Sequence, residues 1–114
     1  MTRDVHICAQ EDKTMIDIGC DCMFSNNIII RTSDSHPIFD NTGVRINPAQ
    51  NVKIGNHVWI APESTVMKGV IVNDNAIIGS KSLVTKNVPE SSLVAGIPAK
   101  VIREEVYWTR ESLF

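Results

Sequence analysis

The sequence lacks two features that would assign it quickly to a class: a surplus of charge and a long apolar run. Eleven Lys and Arg residues nearly balance thirteen Asp and Glu residues, so the net charge of −2 gives no reason to expect a nucleic acid or an anionic membrane as a partner. No apolar run approaches about 18 residues and no signal peptide precedes the first repeat, so we expect a cytoplasmic protein without a membrane span. A chain of 114 residues is expected to form one domain, residues 1-114, with a small core.

Cysteine is scarce, and the few that occur do not form a recognisable framework. There are three, an odd number: Cys8, Cys20 and Cys22. A set of disulfides is not indicated by this count, and a CxC pair without a second pair is a poor zinc signal. We therefore expect free thiols and no bound metal.

What the sequence does have is a six-residue repeat. From residue 54 it reads IGNHVW, IAPEST, VMKGVI, VNDNAI, IGSKSL and VTKNVP, and every block opens on Ile or Val. The fifth place of each block is small or β-branched: Val58, Ser64, Val70, Ala76, Ser82 and Val88. The same spacing occurs earlier, at Ile18, Phe24 and Ile30. A short fixed period predicts a solenoid, here a hexapeptide-repeat parallel β-helix.

The period fits the geometry of a narrow triangular prism. Side chains alternate along a strand, so the opening residue can point inward, and the fifth residue can share the interior with a bend between them. Three blocks make one coil of about 18 residues, stacked on the next at about 4.8 Å by parallel ladders. We expect coils at about residues 18-35, 54-71 and 72-89, with a tail over 90-114. General crossover chirality favours right-handed turns, so the repeat alone does not give the hand.

The repeat breaks once, and the break is the predicted functional site. Continuing the spacing would place His36, Thr42 and Pro48 in the interior, which none of them suits. We therefore expect residues 36-53 to leave the prism as a loop of one coil's length. Asp34, just before it, is a charge at a fifth place that is otherwise small or apolar. Long loops inside compact repeats are usually functional.

Three motifs carry a resemblance to a known family. Residues 32–37 read TSDSHP, residues 56–60 read NHVWI, and residues 95–100 read AGIPAK. With these motifs the chain resembles the hexapeptide-repeat acyltransferases, close to the sugar and polysaccharide O-acetyltransferases and similar to the maltose and galactoside acetyltransferases. The resemblance covers residues 16–104 and implies an all-β fold, a left-handed parallel β-helix.

The family resemblance implies transfer of an acetyl group from acetyl-coenzyme A to a hydroxyl of a sugar or glycan acceptor. His36 would be the general base, because an imidazole can take the hydroxyl proton near neutral pH while the oxygen attacks the thioester. Asp34 is a candidate for orienting His36. Trp59, predicted at an outer corner of the prism, would contact the sugar or pack against the acetyl end of the cofactor. Asn26 and Asn27 are the nearest candidates for acceptor contacts.

The same resemblance implies where coenzyme A would bind. The matching positions are Ser80, Thr85, Lys86, Gly96, Pro98, Lys100 and Arg103. A small side chain suits the pantetheine arm and cations suit the phosphates, although Lys100 stands where relatives often have the bidentate donor Arg. The implied assembly is a homotrimer, in which the His loop of one subunit faces the cofactor wall of its neighbour.

The two ends of the chain depart from the family pattern. Residues 1–17 show no clean hexapeptide, although relatives have acceptor-binding residues before the first coil. Three coils is also short for this family, so we consider a truncated or minimal member. Residues 104–114 are expected to form a short C-terminal helix or tail, partly buried through Val106, Tyr107 and Trp108.

Two other classes of protein share this repeat. The metal-dependent proteins similar to γ-type carbonic anhydrases need three His residues, two of them about five apart, but the position five after His57 is Pro62. A non-catalytic β-helix used as an assembly module would not need the His, Trp and cofactor motifs that occur here. An acetyl-coenzyme A thiol-release assay with a panel of sugars, beside a metal analysis, separates the three classes.

Overall fold

The computed structural model describes residues 6–8, 11 and 14–113. These residues form strands, turns and irregular segments, and no helix occurs among them. In chain order the strands are β1 (His6–Cys8), β2 (Ile16–Ile18), β3 (Met23–Phe24), β4 (Ile29–Arg31), β5 (Val52–Ile54), β6 (Trp59–Ile60), β7 (Thr65–Val66), β8 (Ile71–Val72), β9 (Ile77–Ile78), β10 (Leu83–Val84), β11 (Leu93–Gly96) and β12 (Ala99–Arg103).

The strands build three walls of a prism. Wall A has the order β1-β4-β7-β10, wall B β2-β5-β8, and wall C β12-β11-β9-β6-β3. Pairing is parallel except between β11 and β12, and partners in the regular part lie 18 positions apart, as Trp59 and Ile77 do (77 − 59 = 18). The chain therefore passes from wall B to wall C to wall A in each coil, which confirms the predicted parallel β-helix.

The repeat supplies the core. The opening side chains are buried inside the prism: Phe24, Ile30, Ile54, Ile60, Val66, Val72, Ile78 and Val84. The fifth-place side chains are buried between them: Val58, Ser64, Val70, Ala76, Ser82 and Val88. Ser64 and Ser82 are the polar members, and their hydroxyls donate to the carbonyl oxygen of Gly79 at 2.9 and 2.6 Å. Burial of the apolar members stabilises the fold by about 25 cal/mol per Å² of apolar surface.

The walls meet at three corners, each a stack of turns. The AB corner contains 32–35, 67–70 and 85–88; the BC corner contains 19–22, 55–58 and 73–76; the CA corner contains 25–28, 61–64 and 79–82. Asparagine and aspartate side chains link successive turns of the BC corner. Asn56 Oδ1 accepts from the Cys20 amide at 2.8 Å, and Asp74 Oδ1 accepts from the Asn56 amide at 2.7 Å. A Cβ added at Gly55 would meet the Asp74 backbone nitrogen at 2.9 Å, so the turn above Asp74 requires glycine.

The predicted excursion is present, with one boundary shifted. Residues 36–51 leave the prism after wall A, and wall B resumes at Val52, which pairs with Ile16. The predicted loop ran to residue 53, because the block pattern becomes recognisable only at Ile54. Val52 is itself buried and serves as an additional inward residue of β5.

The loop has a short hairpin of its own. Phe39 and Arg45 form an antiparallel bridge, and the Asp40 carboxylate accepts from the amides of Thr42 and Val44 at 2.8 and 3.1 Å. Four apolar side chains of the loop are more than half exposed: Ile38, Phe39, Val44 and Ile46. The loop is thus locally ordered and presents an apolar surface.

Strand β1 and the first two residues of β2 lie in residues 1–17, where the sequence showed no clean repeat. β1 pairs with β4 and β2 pairs with β5. The inward positions Ile7 and Ile16 are nine residues apart, so the six-residue spacing does not reveal them.

The C-terminal part is a hairpin followed by an irregular segment. β11 and β12 are joined through a tight turn that contains the cis Ile97–Pro98 bond. Residues 104–113 form no helix, so the tail is the alternative that forms. Nothing in the described part of the chain is a helix long and apolar enough to cross a bilayer.

Candidate active site

His36 lies at the AB corner, at the start of the loop, with an exposed side chain. Ser35 before it has φ +71°, a left-handed conformation that turns the chain out of the prism. The His36 carbonyl oxygen accepts from Asn47 Nδ2 at 2.8 Å. The backbone that carries the imidazole is therefore fixed, while the ring faces solvent.

Asn47 organises this corner and was not singled out by the sequence. Its buried side-chain amide donates to the His36 carbonyl oxygen and, at 2.9 Å, to Asp34 Oδ2. Its oxygen accepts from the Ile38 amide at 2.7 Å and from Arg45 Nε at 3.2 Å. The Asn-Pro pair at 47–48 signals a turn, but only the folded loop shows that this side chain bridges both of its ends.

Asp34 forms an ion pair rather than a contact with the histidine ring. Its Oδ2 accepts from Lys68 Nζ at 2.8 Å, and Lys68 also donates to the Pro48 carbonyl oxygen at 2.9 Å. The hydrogen bond from Lys68, followed by that from Asn47, lowers the pKa of the Asp34 carboxyl, so it stays ionised. The predicted orienting of His36 by Asp34 stays a prediction. Lys68 was missed because a single lysine in a turn reads as a surface charge.

A second ion pair closes the outer side of the loop. Arg45 binds the Glu11 carboxylate in a bidentate manner, with both N–O distances 2.9 Å. Hydrogen bonds from Arg45 and then from Ser33 lower the pKa of Glu11 to about 2. Through Arg45 this pair joins the Asn47 network, so charged groups from three segments hold the loop.

The outer face of wall A forms a groove beside this network. It is lined by Arg31, Ser33, Asp34, Thr65, Met67 and Lys68, among others. Because Val84 pairs with Val66, two of the predicted cofactor residues, Thr85 and Lys86, lie one coil below Met67 and Lys68. The AB corner therefore carries His36 at one end and exposed Lys86 at the other.

The other two cations predicted to contact coenzyme A, Lys100 and Arg103, lie on the C-terminal hairpin. Lys100 lies on β12 and lines a groove together with Lys86. Gly96, with φ +110°, and Pro98 form the turn between β11 and β12. Arg103 lies at the far end of β12, opposite Leu93. The structure thus brings Lys86 and Lys100 together and places Arg103 further along the same strand.

Ser80 and the two asparagines share the CA corner. Ser80 is exposed in the turn after β9. Asn26 and Asn27 are exposed in the turn before β4, and the Asn26 carbonyl oxygen accepts from the Glu63 amide of the next coil at 2.9 Å. The short strand β4 separates these asparagines from the AB corner, so the chain does not bring them next to His36.

Trp59 opens strand β6 beside the BC corner, a third location. It was predicted to be exposed at an outer corner, but it is half-buried because the C-terminal segment covers it. Its ring centroid lies 6.0 Å from that of Trp108, with the planes tilted by 48°. Its Nε1 is buried and has no hydrogen-bond partner among the described residues.

No group of three or more His, Cys, Asp or Glu side chains suited to a metal ion occurs in the part of the chain that the structure describes. His57, which a carbonic-anhydrase-like site would use as a ligand, presents Nδ1 to Asp21 at 2.7 Å and Nε2 to the Trp108 carbonyl oxygen at 2.9 Å. Both nitrogens are therefore engaged within the fold.

The repeats match a known family profile. The bacterial transferase hexapeptide family (six repeats) matches residues 51–86, which contain β5 to β10. The matched part therefore covers most of the second and third predicted coils and does not include His36.

Whole-chain comparisons extend the likeness. The polysialic acid O-acetyltransferase of Escherichia coli O1:K1 / APEC is 44% identical over 100 residues, which are 87% of this chain and 33% of that protein. The crystal structure of the polySia specific acetyltransferase NeuO superposes with a TM-score of 0.89 at 40% identity, over 96% of this chain and 51% of that one. A galactoside acetyltransferase in complex with coenzyme A superposes with a TM-score of 0.71 at 28% identity, over 90% and 55%.

This chain thus spans between a third and about half of the length of those proteins. The structural likeness supplies the hand of the helix, which the repeat alone does not give. The fold is a left-handed parallel β-helix, as the motif resemblance implied.

Proposed function

Because the chain belongs to the hexapeptide-repeat transferase family, we propose that it is an O-acetyltransferase that moves an acetyl group from acetyl-coenzyme A to a hydroxyl of a sugar or polysaccharide. The observation that carries the proposal is the AB corner. There an exposed histidine on a fixed backbone lies beside the groove of wall A, and Lys86 lies one coil beyond Lys68 at the same corner.

In the proposed reaction His36 is the general base. Its imidazole takes the acceptor hydroxyl proton as that oxygen attacks the thioester carbonyl carbon, and a tetrahedral oxyanion forms. When the intermediate collapses, the C–S bond breaks, the ester is released, and the proton on the imidazole neutralises the coenzyme A thiolate. Asn47 and the Asp34–Lys68 pair support this step by holding the turn that carries His36.

Coenzyme A is proposed to lie along wall A and the hairpin. Ser80 suits the pantetheine arm because it is small and exposed, Thr85 lies beside Lys86 on the phosphate side, and Gly96 and Pro98 shape the adjoining turn. Lys86 and Lys100 share a groove and suit the phosphates, with Arg103 further along β12. The reaction is placed in the cytoplasm, where acetyl-coenzyme A is available.

A homotrimer is proposed because one subunit separates the parts of the site. His36 lies at the AB corner and Trp59 beside the BC corner, with wall B between them. The acceptor candidates Asn26 and Asn27 lie at the CA corner. A neighbouring subunit that faces the His36 corner would complete the site, and the exposed apolar residues of the loop would be covered at the same time.

Two experiments test the proposal. Coenzyme A thiol release is measured with acetyl-coenzyme A and a panel of oligosialic acids, galactosides and maltosides, with His36→Ala as the comparison. We expect release that depends on both acceptor and His36, and no release with any member of the panel contradicts the proposed activity. Light scattering across a dilution series, with activity followed in parallel, tests the assembly, because a fully active monomer would exclude the shared site.

A further inference from the structure

The C-terminal segment is attached to the BC corner by a cluster of aromatic and charged side chains. Trp108 is buried, and its ring stacks on His57 with the centroids 3.9 Å apart and the planes inclined by 6°. Its Nε1 donates to the His57 carbonyl oxygen at 2.8 Å. Arg110 donates from Nε to Asp21 Oδ1 and from a terminal nitrogen to the Cys22 carbonyl oxygen, both at 2.9 Å.

His57 is held between two hydrogen-bond acceptors. An ionised carboxylate and a backbone carbonyl can only accept, so both ring nitrogens must carry hydrogen for both bonds to form. That species is the imidazolium. The Trp108 carbonyl, followed by Asp21, raises the pKa of His57 above its ordinary value of 6.5. The charged groups that face the ring are Asp21 from the BC corner and Arg110 from the tail, and Arg110 opposes the positive ring.

The same cluster reaches Trp59. Trp108 covers one side of its ring, and the buried Nε1 of Trp59 has no acceptor among the described residues. An unpaired buried N–H is destabilising, so a ring held in this way is stabilised when an acceptor oxygen binds to it. An acceptor oxygen of a bound sugar, or of a neighbouring subunit, would meet that need.

We propose that residues 106–110 are a positioning clamp for Trp59, and that the clamp is closed by His57 in its doubly protonated form. In this assignment His57, Trp108, Asp21 and Arg110 are positioning residues for the acceptor site. The inference rests on the proposed acetyl transfer for its effect on turnover, while the closing of the clamp is independent of any reaction.

The chain has two tryptophans, which makes the clamp observable without substrate. In Trp59→Phe, Trp108 is the single tryptophan and reports on its stacking with His57. We expect its emission to titrate with a midpoint above 6.5, since loss of the imidazolium proton breaks one of the two bonds. Asp21→Asn should lower that midpoint, and His57→Gln should remove the transition. Asp17→Asn, which removes the same charge from an exposed position of β2, is the matched control and should leave the midpoint unchanged.

Activity provides the second measurement, made in the chain with both tryptophans. Asp21→Asn and Arg110→Ala should each lower kcat/KM for the sugar acceptor by roughly tenfold, with KM for acetyl-coenzyme A unchanged, because a misplaced contact weakens the transition state. Trp108→Phe, which keeps a stacked ring, should lose less than Trp108→Ala.

The outcomes distinguish failure of the clamp from failure of its positioning role and from failure of the proposed function. Emission that does not titrate, or that responds equally to Asp21→Asn and Asp17→Asn, overturns the clamp. A clamp that titrates as expected while Asp21→Asn and Arg110→Ala both keep normal acceptor kinetics overturns the positioning role. An unmutated chain that transfers no acetyl group overturns the proposed function and the positioning role together. The emission titration distinguishes that result from failure of the clamp.

Discussion

His36 and His57 both lie on turns that link walls of the prism, but their surroundings differ. The His36 ring is exposed and forms no hydrogen bond within the described residues, while its backbone is held by Asn47. The His57 ring is bonded at both nitrogens and stacked on Trp108. A ring that exchanges protons with a substrate must be accessible, whereas a ring that holds a segment must be enclosed. The comparison assigns the two histidines different tasks.

The two regions also differ in how the rest of the chain supports them. The His36 corner is organised by groups from the loop itself and from Lys68, one coil along. The His57 corner is completed by a segment that is 51 residues away in sequence. Variants of each region should therefore change different measured quantities.

The largest effect of any single substitution is expected from His36→Ala, on kcat. Loss of a general base should lower kcat by roughly a hundredfold or more, while binding of acetyl-coenzyme A and the melting temperature stay almost unchanged. Single-turnover kinetics, isothermal titration and thermal unfolding measure the three quantities. Near-normal turnover with a good acceptor would remove His36 from the role.

Asn47→Ala tests whether the backbone of the His36 turn is held by one amide. The change leaves Asp34, the His36 carbonyl and the Ile38 amide without this partner, so we expect the free energy of unfolding to fall by about 2–3 kcal/mol.

We also expect kcat to fall by roughly tenfold as the His36 turn loosens. Asn41→Ala, an exposed position in the same loop, is the control. Equal losses from both variants, read by denaturant titration and by rate, would contradict the bridging role.

His57→Gln addresses the other histidine. It should lower the free energy of unfolding by about 1–2 kcal/mol near pH 6 through lost hydrogen bonds. Because folding raises the pKa of His57, its contribution is complete below the unfolded value near 6.5 and is lost as the pH rises through the folded value. The gap between the two proteins should therefore narrow toward pH 9 in denaturant titrations. A difference in unfolding free energy that widens with pH would contradict the doubly protonated state inferred for His57.

The lysines of the C-terminal groove should have a smaller effect, on binding only. Lys86→Ala with Lys100→Ala should weaken coenzyme A by roughly tenfold and more than dephospho-coenzyme A, if the pair contacts the 3′-phosphate. Arg103→Ala shows whether the far end of β12 takes part. Equal losses for both ligands, measured by calorimetry, would exclude that contact.

Glu11→Gln is expected to have the smallest effect. Folding lowers the pKa of Glu11 from 4.5 to about 2, so its pairing with Arg45 is complete above 4.5 and is lost as the pH falls toward 2. The difference in melting temperature between this variant and the unmutated protein should shrink between pH 6 and pH 3. Glu63→Gln, which removes the same charge from a looser exposed pair with Lys81 at 3.7 Å, is the matched control.

Periodicity predicts the walls because the inward positions recur at a fixed six-residue spacing that is visible in the sequence, as at Ile60, Val66 and Val72. The loop was predicted from the same spacing, since His36 could not occupy an interior place. Strand β1 and the start of β2 were not predicted, because the inward residues Ile7 and Ile16 do not follow the six-residue step, whereas Ile18 at the end of β2 does.

The candidate site was only partly predictable. His36, Trp59 and the lysines are recognisable because a motif or a broken rule marks them. Asn47 and Lys68 are ordinary turn residues until folding places them against Asp34. His57 occupies an unbroken repeat, and its partner Trp108 lies in a segment without periodicity. Contacts between distant segments leave no trace in a short period.

The stacked turns of the AB corner also fix the distances between their side chains along the axis of the prism. The turns that carry Asp34, Lys68 and Lys86 follow one another at one coil each, so each interval is about 4.8 Å. Adding a whole coil between them would lengthen this interval by one step and keep every side chain on its wall. Adding a single six-residue block would instead move each later residue to the next wall. The distance between a reacting end and a charged end of a bound molecule can therefore change only in whole coils, which makes the number of repeats a measure of ligand length.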